Sequence, residues 1–145
     1  MNTPDSNVPK EGSVENQEGL KLKIIYAEDH PGTQKAIGKL LALLGHTVEV
    51  VDNGQLLLEK LATGEKYDLI ITDNNMPIMS GLKALREIGK LYGKVPMIVC
   101  TGGATYEDIK DIEDMKTEGL RIIYLEKPPS GEKLKNAIKE VMENK

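Results

Sequence analysis

Residues 69–81 read LIITDNNMPIMSG, and this stretch decides the fold. Its first four residues are apolar or β-branched with no polar interruption, the pattern of a short strand buried on both faces of a helix-covered parallel sheet. Asp73 follows at once. Four other runs resemble it: LKIIYA from Leu22, TVEVV from Thr47, MIVC from Met97 and IIYL from Ile122. All but TVEVV are followed at once, or in the last case after Glu126, by a residue able to handle metal or phosphate, namely Glu28 and Asp29, Asp73, Thr101 and Lys127. The carboxyl ends of strands in an open parallel sheet line one edge, so these scattered residues converge on a single crevice.

Between the runs lie segments with helical periodicity, and the spacing of about one βα unit favours parallel strands joined by helical crossovers over a hairpin-rich sheet. The pattern predicts helices over residues 33–44, 55–62, 82–91, 106–116 and 132–143. In the first, Ile37, Leu40, Leu41 and Leu44 share a face, and Gly45 follows where a left-handed cap is needed. Glu49 interrupts the second strand, which suits a sheet edge, whereas the first, third and fourth strands are continuous. The expected fold is α/β, a five-stranded parallel sheet of order 2-1-3-4-5. The apolar stripes of the helices are core, as is Leu134, Ile138, Val141 and Met142 in the last helix.

A chain of 145 residues matches one domain with a short appendage. Residues 1–19 hold Pro4, Pro9 and Gly12 with only isolated apolar residues, too few to offset the entropy of ordering the backbone, so they read as a disordered arm before a domain over 20–145. Most of the net charge of −4 lies there: one Lys against four acids gives −3, and residues 21–145, with 18 bases and 19 acids, give −1. A nearly neutral domain argues against direct nucleic-acid binding, which needs a basic surface to displace counterions. The single Cys100 closes a buried strand and reads as a small core hydrophobe. No apolar run reaches membrane-spanning length and no signal-peptide order opens the chain, so the expectation is a cytoplasmic protein without membrane insertion.

Glu28 and Asp29 leave the first strand together, and adjacent carboxylates repel unless they reach solvent or share a cation. Asp73 leaves the neighbouring central strand, where the strand order reverses. Three carboxylates at that switch point suit magnesium, a hard cation that takes oxygen ligands and keeps waters and phosphate in its shell. Lys127 supplies a point charge for a phosphate. Thr101 offers one hydroxyl to the same group, or caps the fourth helix.

Taken together these residues resemble a known family. DNNMPIMSG from Asp73 is similar to the D-x-x-M-P-x-M-x-G phosphoacceptor segment of response-regulator receiver domains, which have a flavodoxin-like doubly wound (βα)5 fold. The acidic pair Glu28-Asp29, Thr101, the Lys127-Pro128 dipeptide and Tyr124 also fall where that family has its motif residues, and the resemblance covers residues 20–145. It implies that Asp73 accepts a phosphoryl group from a histidine kinase or histidine phosphotransfer protein. It implies magnesium held by Asp29, Asp73 and the backbone carbonyl of Asn75, with Glu28 acting mostly through a coordinated water. Lys127 and Thr101 then bind the phosphoryl oxygens, Thr101 and Tyr124 act as the switch, and the fourth and fifth helices with the fifth strand move as an output face toward a downstream protein target. The Lys127–Pro128 bond is expected to be cis.

The chain departs from the family pattern in three places. Glu28 replaces the commoner Asp. Pro129 stands where an aromatic or apolar residue is usual, which predicts a stiff turn less anchored in the core. Gly102 and Gly103 make a free loop after Thr101. In this family the positions occupied by Asn75 and Gly103 tune the attack of water on the acyl phosphate. Gly103 has no side chain to orient it, so a long-lived phosphorylated state is expected, shortened by Gly103→Glu or Gly103→Gln. No DNA-binding helix pair, cyclase or hydrolase segment follows the fifth helix. A stand-alone receiver signalling by protein contact is the favoured reading and a receiver excised from a hybrid kinase the close alternative. A magnesium phosphohydrolase or Toprim-like enzyme, the reading from another class, wants a carboxylate two residues after the central Asp, where this chain has Asn75.

Overall fold

Buried apolar strands and one-sided helices assemble as the periodicity requires. The computed structural model describes residues 20–143; the expected arm over residues 1–19 lies outside them. The elements alternate strictly: β1 Lys23–Ala27, α1 Pro31–Leu43, β2 Thr47–Val51, α2 Gly54–Ala62, β3 Leu69–Thr72, α3 Gly81–Tyr92, β4 Met97–Thr101, α4 Tyr106–Thr117, β5 Ile122–Glu126 and α5 Gly131–Glu143. The strands form one parallel sheet of order β2-β1-β3-β4-β5. Among the described residues no helix is long and apolar enough to cross a membrane.

Side chains alternate along each strand, so each face of the sheet has its own core. On one face Ile24 and Tyr26 of β1, Leu69 and Ile71 of β3, and Ile98 and Cys100 of β4 pack under Ile37 and Leu41 of α1 and Leu134 and Ile138 of α5. On the other, Ile25, Ile70, Met97 and Val99 pack under Leu57 of α2, Leu85 and Ile88 of α3, and Ile112 and Met115 of α4. The position expected at the edge is the edge: Glu49 of β2 reaches Lys60 at 2.8 Å and accepts from the Tyr67 hydroxyl at 2.6 Å. These partners, the Lys60 hydrogen bond first, hold its carboxyl below the usual range.

Three local expectations need correction. Helix α1 begins at Pro31, two residues before the predicted Thr33, because proline at the first helical position sacrifices no hydrogen bond and His30 caps the end by accepting from Thr33 N. Helix α4 is capped by Thr105, not Thr101: the Thr105 hydroxyl accepts from Asp108 N at 3.0 Å, and the Asp108 carboxylate accepts from Thr105 N at 2.9 Å. Pro129 is buried and lines a groove of about 340 Å³ with Ile37 and Leu40 of α1, so its apolar ring anchors the turn it was expected to loosen.

Candidate functional site

Parallel ladders carry the ends of β1, β3, β4 and β5 to one edge, and the ladder geometry fixes the site. The Asp73 N–H donates to Ala27 O at 2.9 Å, and Glu28 N–H to Val51 O at 2.9 Å, so both acids extend from paired strands. Lys127 N–H donates to Thr101 O at 3.2 Å, which ties the β5 end to the β4 end. The Lys127–Pro128 peptide bond is cis, as expected.

Glu28, Asp29 and Asp73 come together, one carboxylate oxygen from each lying within 4.8 Å of the others. Glu28 is 1% exposed and Asp73 5%, while Asp29 faces solvent. Glu28 is held on every side. Its Oε1 accepts from Lys127 Nζ at 2.8 Å and from the Tyr26 hydroxyl at 3.2 Å, and its Oε2 from His30 N at 3.2 Å. Its backbone carbonyl accepts from Gln34 Nε2, which also donates to Asp52 at 2.9 Å. Lys127 Nζ reaches Asp73 Oδ2 at 3.4 Å as well. Burial alone would lower the pKa of this ammonium, but the Glu28 hydrogen bond and the charges of Asp73 and Glu28 outweigh it and leave it above the ordinary lysine value.

The three carboxylates and one ammonium sum formally to −2, and a divalent cation on oxygen ligands would balance them. At the β4 end, the buried Thr101 Oγ1 has no hydrogen-bond partner. A buried hydroxyl left unpaired is costly, and an anion beside Asp73 is the chemistry that would satisfy it.

Asp73 itself is fixed by its neighbours. Its Oδ1 accepts from Asn74 N at 2.7 Å. The buried Asn74 side chain accepts from Leu82 N at 2.9 Å at the start of α3 and donates to Asp108 in the first turn of α4 at 3.3 Å. Gly81, the last residue of the quoted stretch, donates to Asn74 O at 2.9 Å and lies so close beneath the loop that a Cβ there would stand 1.9 Å from Asp73 O. In the same loop Ile78 holds φ +71°, a rare conformation for a β-branched residue.

The remaining sequence candidates lie at the rim. Asn75 is exposed and two residues beyond Asp73. Gly102 and Gly103 are exposed, and Gly103 holds φ +64° with nothing within 4 Å of an added Cβ. Tyr124 of β5 is half-buried, packs on the α3–α4 face of the sheet and has its phenol pKa raised, mainly by that burial. Cys100 is core, as read: burial pushes its thiol up to about 12, so it stays protonated.

Sequence reasoning missed Tyr26, Gln34 and Asn74. Tyr26 carried a signal, a hydroxyl inside an otherwise apolar strand and two residues before Glu28, hence on the same face. Asn74 carried none, because its partners come from α3 and α4.

This geometry is that of a known class. The chain matches the response regulator receiver domain over residues 24–139, and it belongs to that family. It is 36% identical over 84 residues to the sensor protein EvgS of Escherichia coli, a match covering 58% of this chain and 7% of that protein. It is 32% identical over 127 residues to the 3',5'-cyclic-nucleotide phosphodiesterase regA of Dictyostelium discoideum, covering 86% of this chain and 16% of that one. The chain therefore spans less than a fifth of either relative. Among solved structures it is similar to the response regulator protein TrrA from Thermotoga maritima in complex with Mg(2+)-BeF, with a TM-score of 0.68 and 26% identity over 82% of this chain and 97% of that one.

Proposed function

We propose that the chain is a phosphoacceptor switch in which Asp73 takes a phosphoryl group from a phosphohistidine of a kinase or phosphotransfer protein. The observation that carries this is the convergence of Asp73, a second buried acid, one ammonium within 3.4 Å and an unpartnered buried hydroxyl at one sheet edge. An Asp73 carboxylate oxygen attacks phosphorus and forms an O–P bond. The P–N bond of the donor breaks, its electron pair stays on the imidazole nitrogen, and that nitrogen takes a proton. Hydrolysis later returns the carboxylate and inorganic phosphate.

Magnesium held by Asp29, Asp73 and the Asn75 carbonyl, with Glu28 behind it, would offset negative charge gathering on the transferred group. Lys127 moves its ammonium toward a phosphoryl oxygen, and the Thr101 hydroxyl donates to another; positioning and electrostatics do most of the work in such transfers. Movement of Thr101 toward the phosphoryl group frees space into which Tyr124 turns. That rearrangement changes the face made by α4, β5 and α5, which a downstream protein reads. Cytoplasmic residence fits a kinase donor of this kind.

The test is mass spectrometry after incubation with acetyl phosphate and magnesium. The native protein should gain a single phosphoryl group. Asp73→Asn should stay folded and gain none, since the amide keeps the shape and loses the nucleophilic oxygen. Equal labelling of the two proteins removes Asp73 from the role.

A further inference from the structure

A carboxylate as enclosed as Glu28 must find a donor for each exposed lone pair, because an unsatisfied buried charge is among the costliest defects in a fold. Lys127 and the Tyr26 hydroxyl share Oε1, and His30 N serves Oε2. Of these three, Lys127 is the donor that the phosphoacceptor reading requires to move. As its ammonium turns from Glu28 and Asp73 toward a group on Asp73, the charge it lends to Glu28 falls. The phenol cannot leave. Tyr26 is 0% exposed, and its ring is packed in the core with Ile24, Ile71 and Leu134.

We propose that Tyr26 is a positioning residue for the site: its hydroxyl keeps the Glu28 carboxylate satisfied and in place while Lys127 is drawn to an anionic group on Asp73. The inference rests on the reading of Asp73 as phosphoacceptor. It explains why β1, whose other buried residues are aliphatic, carries a phenol two residues before Glu28, aimed at the most deeply buried acid of the trio. Tyr26 touches neither the reacting atoms nor a metal, so its effect reaches the chemistry only through Glu28 and Lys127. Burial and the adjacent Glu28 charge both raise its phenol pKa, so it remains a donor across the working range.

Tyr26→Phe removes the hydroxyl and keeps the ring, a change that preserves core volume. Melting temperatures of native and variant protein are measured without ligand, with magnesium, and during a titration of beryllofluoride, a phosphoryl mimic, in magnesium. The unliganded variant should melt slightly lower, since Lys127 and His30 still serve Glu28. The beryllofluoride needed for half the melting rise should increase about tenfold or more, the loss expected for one hydrogen bond to a charged group. In a Glu28→Gln background, where no charge needs holding, Tyr26→Phe should leave that concentration unchanged. The same concentration for native protein and Tyr26→Phe, or the same shift in the Glu28→Gln background, overturns the proposal. No melting rise in the native protein instead removes the phosphoacceptor reading, and the proposal with it.

Discussion

Replacing Gly81 by alanine should be among the most damaging single-methyl changes available in this chain. The added Cβ would stand 1.9 Å from Asp73 O and 2.9 Å from Thr72 Oγ1, and ordinary contact begins at 3.4 Å. The first turn of α3 would therefore have to retreat by roughly 1.5 Å. Two hydrogen bonds span that gap, Gly81 N to Asn74 O and Leu82 N to Asn74 Oδ1, both 2.9 Å, and neither survives such a shift. Overpacking costs about 1–3 kcal/mol and each lost hydrogen bond about 1 kcal/mol, so the expected loss is about 3–5 kcal/mol. That is a large share of a typical stability of about 5–15 kcal/mol. Urea unfolding followed by circular dichroism should show the midpoint fall by about 1–3 M, or no folded baseline. Gly38→Ala supplies the control. Gly38 lies inside α1 with nothing within 4 Å of an added methyl, so the same chemical change there should stabilise by about 0.5–1 kcal/mol. Gly81→Ala within about 0.3 M of the native midpoint, where ordinary surface substitutions fall, would refute the argument.

Asp29→Ala should weaken magnesium binding at least about tenfold and remove most of the melting rise that magnesium gives the native protein, read by titration in a thermal shift assay. His46 is buried, its Nδ1 accepts from Leu22 N at 3.1 Å, and burial lowers its pKa below 6.5. The unfolded chain then binds a proton before the folded one does, so stability is full above about pH 6.5 and falls below it, by at most about 1.4 kcal/mol per pH unit. The native-minus-His46→Asn stability difference, followed by urea unfolding at several pH values, should carry that slope; a flat difference refutes it. Phosphorylated protein should lose its label slowly after donor removal. At φ +64° a Gly103→Glu or Gly103→Gln change carries about 1–2 kcal/mol of backbone strain, so Gly103→Asn, which tolerates that conformation, is the cleaner way to place a water-orienting side chain and should accelerate the decay. Rapid decay in the native protein, or slower decay in Gly103→Asn, contradicts the expectation.

The sheet was legible because strands buried on both faces have to be written as apolar runs, and Glu49 marked the edge by breaking one. The acids and Lys127 were legible because a parallel sheet delivers strand ends to one place. What the sequence hid depends on contacts between elements. Counting the apolar face of α1 located its body but not its start, which Pro31 and His30 decide through backbone chemistry. Thr101 was the cap read from the sequence, and the turn geometry gives that role to Thr105 instead. Pro129 looked like a loss of anchorage because it stands where the family usually has an aromatic or apolar residue. In place it is buried and borders the same groove as Ile37 and Leu40 of α1. Tyr26 was read as one more core residue of β1, and its hydroxyl became meaningful only when Glu28 was found folded back beside it.

The single amide of Asn74 has a consequence for how this sequence can change over time. It joins α3 to α4, and its partner Asp108 also closes the cap of α4. Asn74→Asp alone would set two carboxylates against each other at a 3.3 Å contact, and Asp108→Asn alone would trade away the charge that suits a helix start. Either substitution is penalised singly; the double exchange relieves the carboxylate clash by putting an amide opposite an acid again, but leaves the helix start without the Asp108 charge. Positions 74 and 108, separated by 34 residues, are therefore physically coupled, and the first turn of α4 cannot change in sequence independently of the residue beside Asp73.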